Sequence, residues 1–287
     1  MPKKAKAKRP KTNNPLYSNL PFSRPEALTP AGKAIFLTPL KVETLMLKNA
    51  LFCLIFIPVT CLIATWLIIS APFKPAKINK AITIIWGRMT LALAGVAVQA
   101  DMNLMSKPSG RGRVIMANHK NLFDIPLLFA LLKNVSFVFV AKKSLFKIPF
   151  FGWAMSASGH ISIDRANRRK AMDSIKEAQA RLDQGISILI FPEGTRSQKA
   201  DSLGKFQMGG IIMAIESKCE MQPIVIDGTI NIMAPGSLAL TPGQHVVKVR
   251  TLAALCASNY TMKERERLKE LLSENMSAAF EEMRNAG

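Results

Sequence analysis

Residues 186–197 read Ile-Ser-Ile-Leu-Ile-Phe-Pro-Glu-Gly-Thr-Arg-Ser. An apolar, β-branched run that stops at Pro192 and Gly194 is a strand delivered into a tight turn. Gly194 gives that turn its conformational freedom. The turn presents Glu193, Thr195 and Arg196 at the strand's carboxyl end, where α/β folds place their ligands. Upstream, residues 113–124 repeat the design as Arg-Val-Ile-Met-Ala-Asn-His-Lys-Asn-Leu-Phe-Asp. A strand over 114–117 again opens into a polar turn. Further strand-like runs fall at 137–141, 223–226 and 246–251, and helical ones at 125–132, 168–183 and 209–217. Residues 262–284 form a charged amphipathic helix. Strands alternating with helices predict an α/β domain, with a mixed, largely parallel sheet flanked by helices.

The two turns carry the chemistry. His119 and Asp124 are five residues apart, and on one continuous helix they would point different ways. They meet if His119 lies in the turn and Asp124 in the first helical turn, where the helix dipole favours a carboxylate. A carboxylate there fixes the imidazole tautomer and stabilises its protonated form, as in a Ser-His-Asp triad. No GxSxG elbow accompanies the pair, so the hydroxyl to be activated belongs to a substrate. Arg196 offers a planar fork for a phosphate, and Glu193 can accept hydrogen bonds from glycerol hydroxyls. A third loop, 159–165, places Arg165 at a strand end, and His160 beside it reads as scaffold.

The rest of the chain points to a membrane. Residues 1–11 carry six basic residues and no acid, and a proline-containing linker follows. Residues 49–73 contain no charge and are long enough to cross a bilayer as a helix, with Pro58 inside as a site for a kink or break. A second apolar stretch, 81–98, is interrupted by Arg88, which suits an interfacial position or packing on the catalytic domain better than the bilayer centre. Lys74, Lys77 and Lys80 follow the first run directly, so both of its flanks are basic and both favour the cytoplasm. A re-entrant hairpin turning near Pro58 satisfies both flanks, and so does a monotopic pair of helices; a plain spanning helix is the alternative. The net charge of +20 calls for a polyanionic partner, either an anionic membrane or nucleic acid. The absence of an aromatic-studded basic motif argues against nucleic acid. The four cysteines and three histidines show no ligand spacing, so neither a disulfide framework nor a metal site is expected.

These loops together resemble the glycerolipid acyltransferase family, whose type member is 1-acylglycerol-3-phosphate acyltransferase. Its NHx4D block is matched by Asn118, His119 and Asp124, and its GxxxxDR-like segment by Gly159, Asp164 and Arg165. Its FPEGTRS block is matched throughout residues 191–197, and its proline-led strand by Pro223 and the three residues after it. The resemblance covers roughly residues 95–250. It implies that His119 and Asp124 are the catalytic pair. It also implies that Asn118, Glu193, Gly194, Thr195 and Arg196 bind the acceptor, that Arg165 is a second phosphate contact, and that Pro223 belongs to the acyl-side wall. Three positions depart from the family: Asn121 for a common Ser, Ser162 for Phe, and Gln207 where Phe-Lys is usual. The last leaves the acceptor head group open.

The chain is therefore expected to divide into a basic tail and linker (1–48), a helical membrane anchor (49–94) and an acyltransferase domain with its C-terminal helix (95–287). The expected reaction moves a fatty acyl group from acyl-CoA or acyl-carrier protein to a lysophospholipid hydroxyl, with 1-acylglycerol-3-phosphate the first choice. No cofactor is expected beyond that co-substrate. The expected location is the inner membrane, with the catalytic domain facing the cytoplasm. Another lysolipid acceptor is the nearest alternative. A non-catalytic basic protein that binds membrane surfaces is the alternative of a different class.

Overall fold

The computed structural model describes residues 39–105, 110–164, 168–234 and 236–286. The basic tail and Arg165 lie outside the described residues. Two helices open the structure, α1 (Pro39–Ser70) and α2 (Ala76–Ala94). They lead into β1 (Val96–Asp101), β2 (Val114–Ala117), α3 (Asp124–Leu131), β3 (Phe137–Lys142), α4 (Phe151–Ala157) and β4 (Ile161–Ile163). α5 (Arg168–Asp183), β5 (Ser187–Ile190), α6 (Met208–Glu216), β6 (Glu220–Asp227), β7 (His245–Thr251), β8 (Leu255–Cys256) and α7 (Arg265–Asn285) complete the order.

The strands form one sheet in the order β1-β7-β6-β2-β5-β3-β4, with β8 beside β6. β6 runs antiparallel to β7 and β8, and every other pairing is parallel. This is the expected mixed, largely parallel α/β sheet. β2 lies at its centre and all four of its residues are buried, which is why its sequence is continuously apolar. Successive residues nonetheless serve opposite faces. Val114 and Met116 join the core under α5, α6 and α7, while Ile115 and Ala117 join the core under α1, α2 and α3. β5 pairs with β2 in parallel, with Met116 opposite Ile190. The two polar turns read from the sequence therefore leave adjacent strand ends on the same edge of the sheet.

α1 starts at Pro39, well before the uncharged run, and passes through Pro58 without a break. The expected turn near Pro58 is thus corrected. The reversal comes at residues 71–75, where Pro72 and Pro75 cannot continue a helix and Lys74 takes a left-handed φ of 47°. The result is an α1–α2 helical pair. α1 lies along the domain instead of leaving it. Asn49 brackets the backbone of Leu240, donating to its carbonyl (3.3 Å) and accepting from its N–H (2.6 Å). Phe52 packs against Phe123, the Thr60 hydroxyl accepts from Trp86 Nε1 (3.0 Å), and Ala64 and Leu67 cluster with Ala154 of α4. The opposite side of α1 exposes Leu47, Leu51, Leu54, Leu62, Trp66 and Ile69.

α2 packs on α3, as its interruption by Arg88 suggested. Gly87 lets the two helices touch, since a Cβ there would meet the carbonyl oxygen of Pro126, and Arg88 points outward to solvent. Gly95, at φ 70°, ends α2 and releases the chain into β1.

Candidate active site

The dyad forms as the spacing required. His119 Nδ1 lies 2.7 Å from Asp124 Oδ2, with His119 in the turn after β2 and Asp124 at the first position of α3. Asp124 is fully buried. The same Oδ2 also accepts the backbone N–H of Lys120 (2.7 Å) and of Asn121 (2.8 Å). Three donors converge on one oxygen, so Nδ1 carries the imidazole proton and Nε2 is left with its lone pair. The ring stacks on Phe191 at a centroid distance of 4.0 Å, and its side chain is only 14% exposed. This clamps the imidazole between a carboxylate and an aromatic face.

The FPEGTRS turn supports the dyad from the neighbouring strand. Glu193, expected to meet substrate hydroxyls, also has a structural part. Its Oε1 accepts the His119 N–H (2.8 Å), its Oε2 accepts the Gly204 N–H (2.7 Å), and the residue is buried. Both oxygens are occupied by backbone, so Glu193 fixes the turn that holds His119. Burial pushes its carboxyl up from the ordinary glutamate value, and the His119 and Gly204 N–H groups and Lys120 oppose that shift. Asn118 is buried as well. Its amide donates to the Ile226 carbonyl (2.8 Å) and accepts the Ile226 N–H (2.7 Å), tying β2 to β6. Pro223 is buried within β6 opposite Met116, where it lines no open surface.

Gly194 takes φ 72° in the turn, closed by its N–H on the Phe191 carbonyl at 3.0 Å. Thr195 and Arg196 beyond it are exposed. Arg196 makes no hydrogen bond or ion pair with the described residues. It borders a small concavity with Lys120, Asn121, Leu122 and Met233. A free guanidinium at the mouth of the dyad's own loop is a ready anion contact. Asp164 pairs with Lys143 at 3.5 Å.

Three supporting residues had no local signal. Lys120 is buried and ties the first turn to the segment after the third motif. Its Nζ donates to the carbonyls of Lys199 (2.5 Å) and Ser202 (2.8 Å) and lies over the Phe280 ring. Gly204 is the second; a Cβ there would collide with the Glu193 carboxylate. Asn121, the departure from the family's serine, caps the entry to α3 by accepting the Phe123 N–H and reaches the Met233 carbonyl with its amide.

A cavity of about 520 Å³ lies apart from this edge, between the α1–α2 pair and the strand starts, with His160 and Arg181 in its lining. None of residues 118–124 or 191–197 borders it. His160 is scaffold, as expected: its Nδ1 accepts the Phe139 N–H at 3.1 Å, and burial lowers its pKa to about 4.

Residues 98–227 match the model of the acyltransferase family. That region of the chain resembles the acyltransferase family. The match contains both turns and the whole dyad. A chloroplastic 1-acyl-sn-glycerol-3-phosphate acyltransferase of Arabidopsis thaliana is 34% identical over 199 residues, 67% of this chain and 54% of that protein. A protein of the same name from Haemophilus influenzae is 32% identical over 53% of this chain and 63% of its own length. The chain spans about half the length of the curated relatives it matches. The crystal structure of the PlsC acyltransferase of Thermotoga maritima superposes with a TM-score of 0.69 at 21% identity, covering 85% of this chain and 98% of that one. That likeness establishes the shared fold.

Proposed function

We propose that the protein transfers a fatty acyl group from acyl-CoA or acyl-carrier protein to the free hydroxyl of a lysophospholipid, with 1-acylglycerol-3-phosphate the preferred acceptor. The observation that carries this reading is the His119 imidazole, held through Nδ1 by Asp124, in the loop whose next residues, Lys120, Asn121 and Leu122, share a concavity with Arg196. Acceptor and thioester bind together. His119 Nε2 takes the hydroxyl proton as that oxygen attacks the thioester carbonyl carbon. The tetrahedral intermediate collapses with rupture of the carbon–sulfur bond, and the departing thiolate receives the proton back from His119. Asp124 stabilises the imidazolium between the two transfers. Arg196 holds the acceptor phosphate. No acyl-enzyme is invoked: Cys219, the one buried free cysteine among the described residues, has its thiol pushed up to about 11 by burial.

The substrates are lipids, and α1 supplies a way to meet them. Between Asn49 and Leu67 this helix rises about 27 Å and touches the domain at both ends. A helix held along a folded domain suits a monotopic anchor, with its exposed apolar side in one leaflet. Basic flanks on both sides of the apolar run, and donors made inside the cell, support a catalytic domain that faces the cytoplasm.

The test is acyl transfer by the purified protein across a panel of lysolipids, each with one acyl-CoA and one acyl-carrier protein. The highest kcat/KM is expected with 1-acylglycerol-3-phosphate. Preference for another lysolipid would move the acceptor assignment. No transfer to any acceptor by vesicle-bound protein would leave a membrane-surface binding protein.

A further inference from the structure

Beyond α1, the largest group of exposed apolar side chains in a short segment lies after β3. Leu145, Ile148, Phe150, Phe151 and Trp153 are between 37% and 54% exposed within nine residues. Soluble surfaces do not gather large apolar side chains in this way without a partner. The segment is nevertheless tightly built. The N–H groups of Phe146, Lys147 and Ile148 bond to the carbonyls of Lys143, Ser144 and Leu145. Those of Gly152 and Ala154 bond to Ile148 and Phe150. Gly152 is required, because a Cβ there would strike the backbone of Phe146. Phe150 is held at φ 60°, a conformation an aromatic residue rarely adopts, with its ring against Trp153. A satisfied backbone thus displays apolar side chains outward.

Charge and position say what covers them. Lys142, Lys143 and Lys147 are exposed in the same segment, with Lys143 paired to Asp164, and residues 137–163 contain no acid. α4, which carries Phe151 and Trp153, packs through Ala154 on Ala64 and Leu67 of α1, so this patch lies directly beside that helix. The turn between α1 and α2 adds exposed Phe73 with Lys74 and Lys77. Aromatic residues ringed by lysines fit the headgroup level of an anionic bilayer.

We propose that residues 145–153 are a second membrane-docking element, inserting their aromatic side chains into an anionic phospholipid surface alongside α1. The proposal rests on the reading of α1 as a membrane anchor and deepens it: two separate insertions fix the tilt of the domain, where one helix alone would leave it free to roll.

Trp153 is a native probe. In the full chain carrying Trp66→Phe and Trp86→Phe, it is the remaining tryptophan. Its emission is expected to be quenched on adding phosphatidylglycerol–phosphatidylcholine vesicles whose acyl chains carry bromine. In the otherwise unaltered chain, Phe150→Ser with Trp153→Ser should weaken co-sedimentation with such vesicles about tenfold or more. Transfer to a short-chain acceptor below its micellar concentration should be unchanged. Vesicle-bound protein with unquenched Trp153, or a folded double variant that binds as tightly as the parent, would overturn this element and leave α1 as the whole anchor. Failure of the unaltered chain to bind any vesicle would remove the membrane reading itself, and this element with it.

Discussion

Asp124→Asn separates the charge of the dyad from its geometry. Asp124 Oδ2 accepts three donors, two of them backbone N–H groups that cannot move away. An asparagine must therefore turn its carbonyl oxygen into that position, because its NH₂ would face the N–H groups of Lys120 and Asn121. Its NH₂ falls where Oδ1 lies, a buried atom without a partner among the described residues. The imidazole then keeps its proton on Nδ1 and its orientation. What is lost is the charge that stabilises the imidazolium. Charges centred roughly 4 Å apart interact by about 4 kcal/mol at an effective dielectric near 20, which is about a thousandfold in rate. The asparagine dipole retains part of this, so kcat/KM should fall about 10²–10³-fold, with a stability loss of no more than about 1–3 kcal/mol, the cost of one buried NH₂ without an acceptor. Asp124→Ala should instead lose about 1–3 kcal/mol of stability for each N–H left without an acceptor. The assay is initial-rate acyl transfer with matched denaturant unfolding. A loss below about tenfold would mean that the carboxylate's charge plays no part in the reaction. A large loss of stability in the asparagine variant would refute the hydrogen-bond exchange.

Three further outcomes follow from the same geometry. Arg196→Ala should raise the KM for the acceptor far more than for the thioester; equal effects on both would assign Arg196 to the scaffold. Glu193→Gln can satisfy only one of the His119 and Gly204 N–H groups, so it should cost about 1–3 kcal/mol in denaturant unfolding, and an unchanged midpoint would show that the turn is held by other contacts. His160 has its pKa lowered by burial from 6.5 to about 4, so between those values the unfolded chain binds more protons. Its contribution is complete above about pH 6.5 and is lost as the pH falls toward 4, by up to about 3 kcal/mol. His160→Gln should flatten that part of the stability profile, and an equally steep fall in the variant would exclude His160 as its source.

Much of the domain was legible because its cues are local. β2 occupies the expected residues 114–117 and α5 the expected 168–183, since one is an unbroken apolar run and the other a charged amphipathic one. The meeting of His119 and Asp124 followed from spacing and helix start alone. β1 was hidden because its residues continue the apolar stretch of α2, and only Gly95 separates them. The work of Asn118 and Glu193 was invisible for a different reason. Their partners are backbone groups of Ile226, His119 and Gly204, which the sheet order brings close and no side-chain pattern announces. Polar residues in a motif invite assignment to the substrate; here two of them hold the backbone that aims the base. The turn of the α1–α2 pair was misplaced at Pro58 because a proline can lie inside a long helix that neighbouring contacts support.

The most direct test of the central claim is the rate of phosphatidic acid formation by His119→Ala against the unaltered protein, from 1-acylglycerol-3-phosphate and the better thioester donor. Vesicle binding and unfolding of both proteins are followed in parallel. Removal of the general base is predicted to lower the rate by about 10²–10⁴-fold, with binding and stability intact. A variant that keeps more than about a tenth of the rate, short of even the low end of that range, would contradict the assignment of His119.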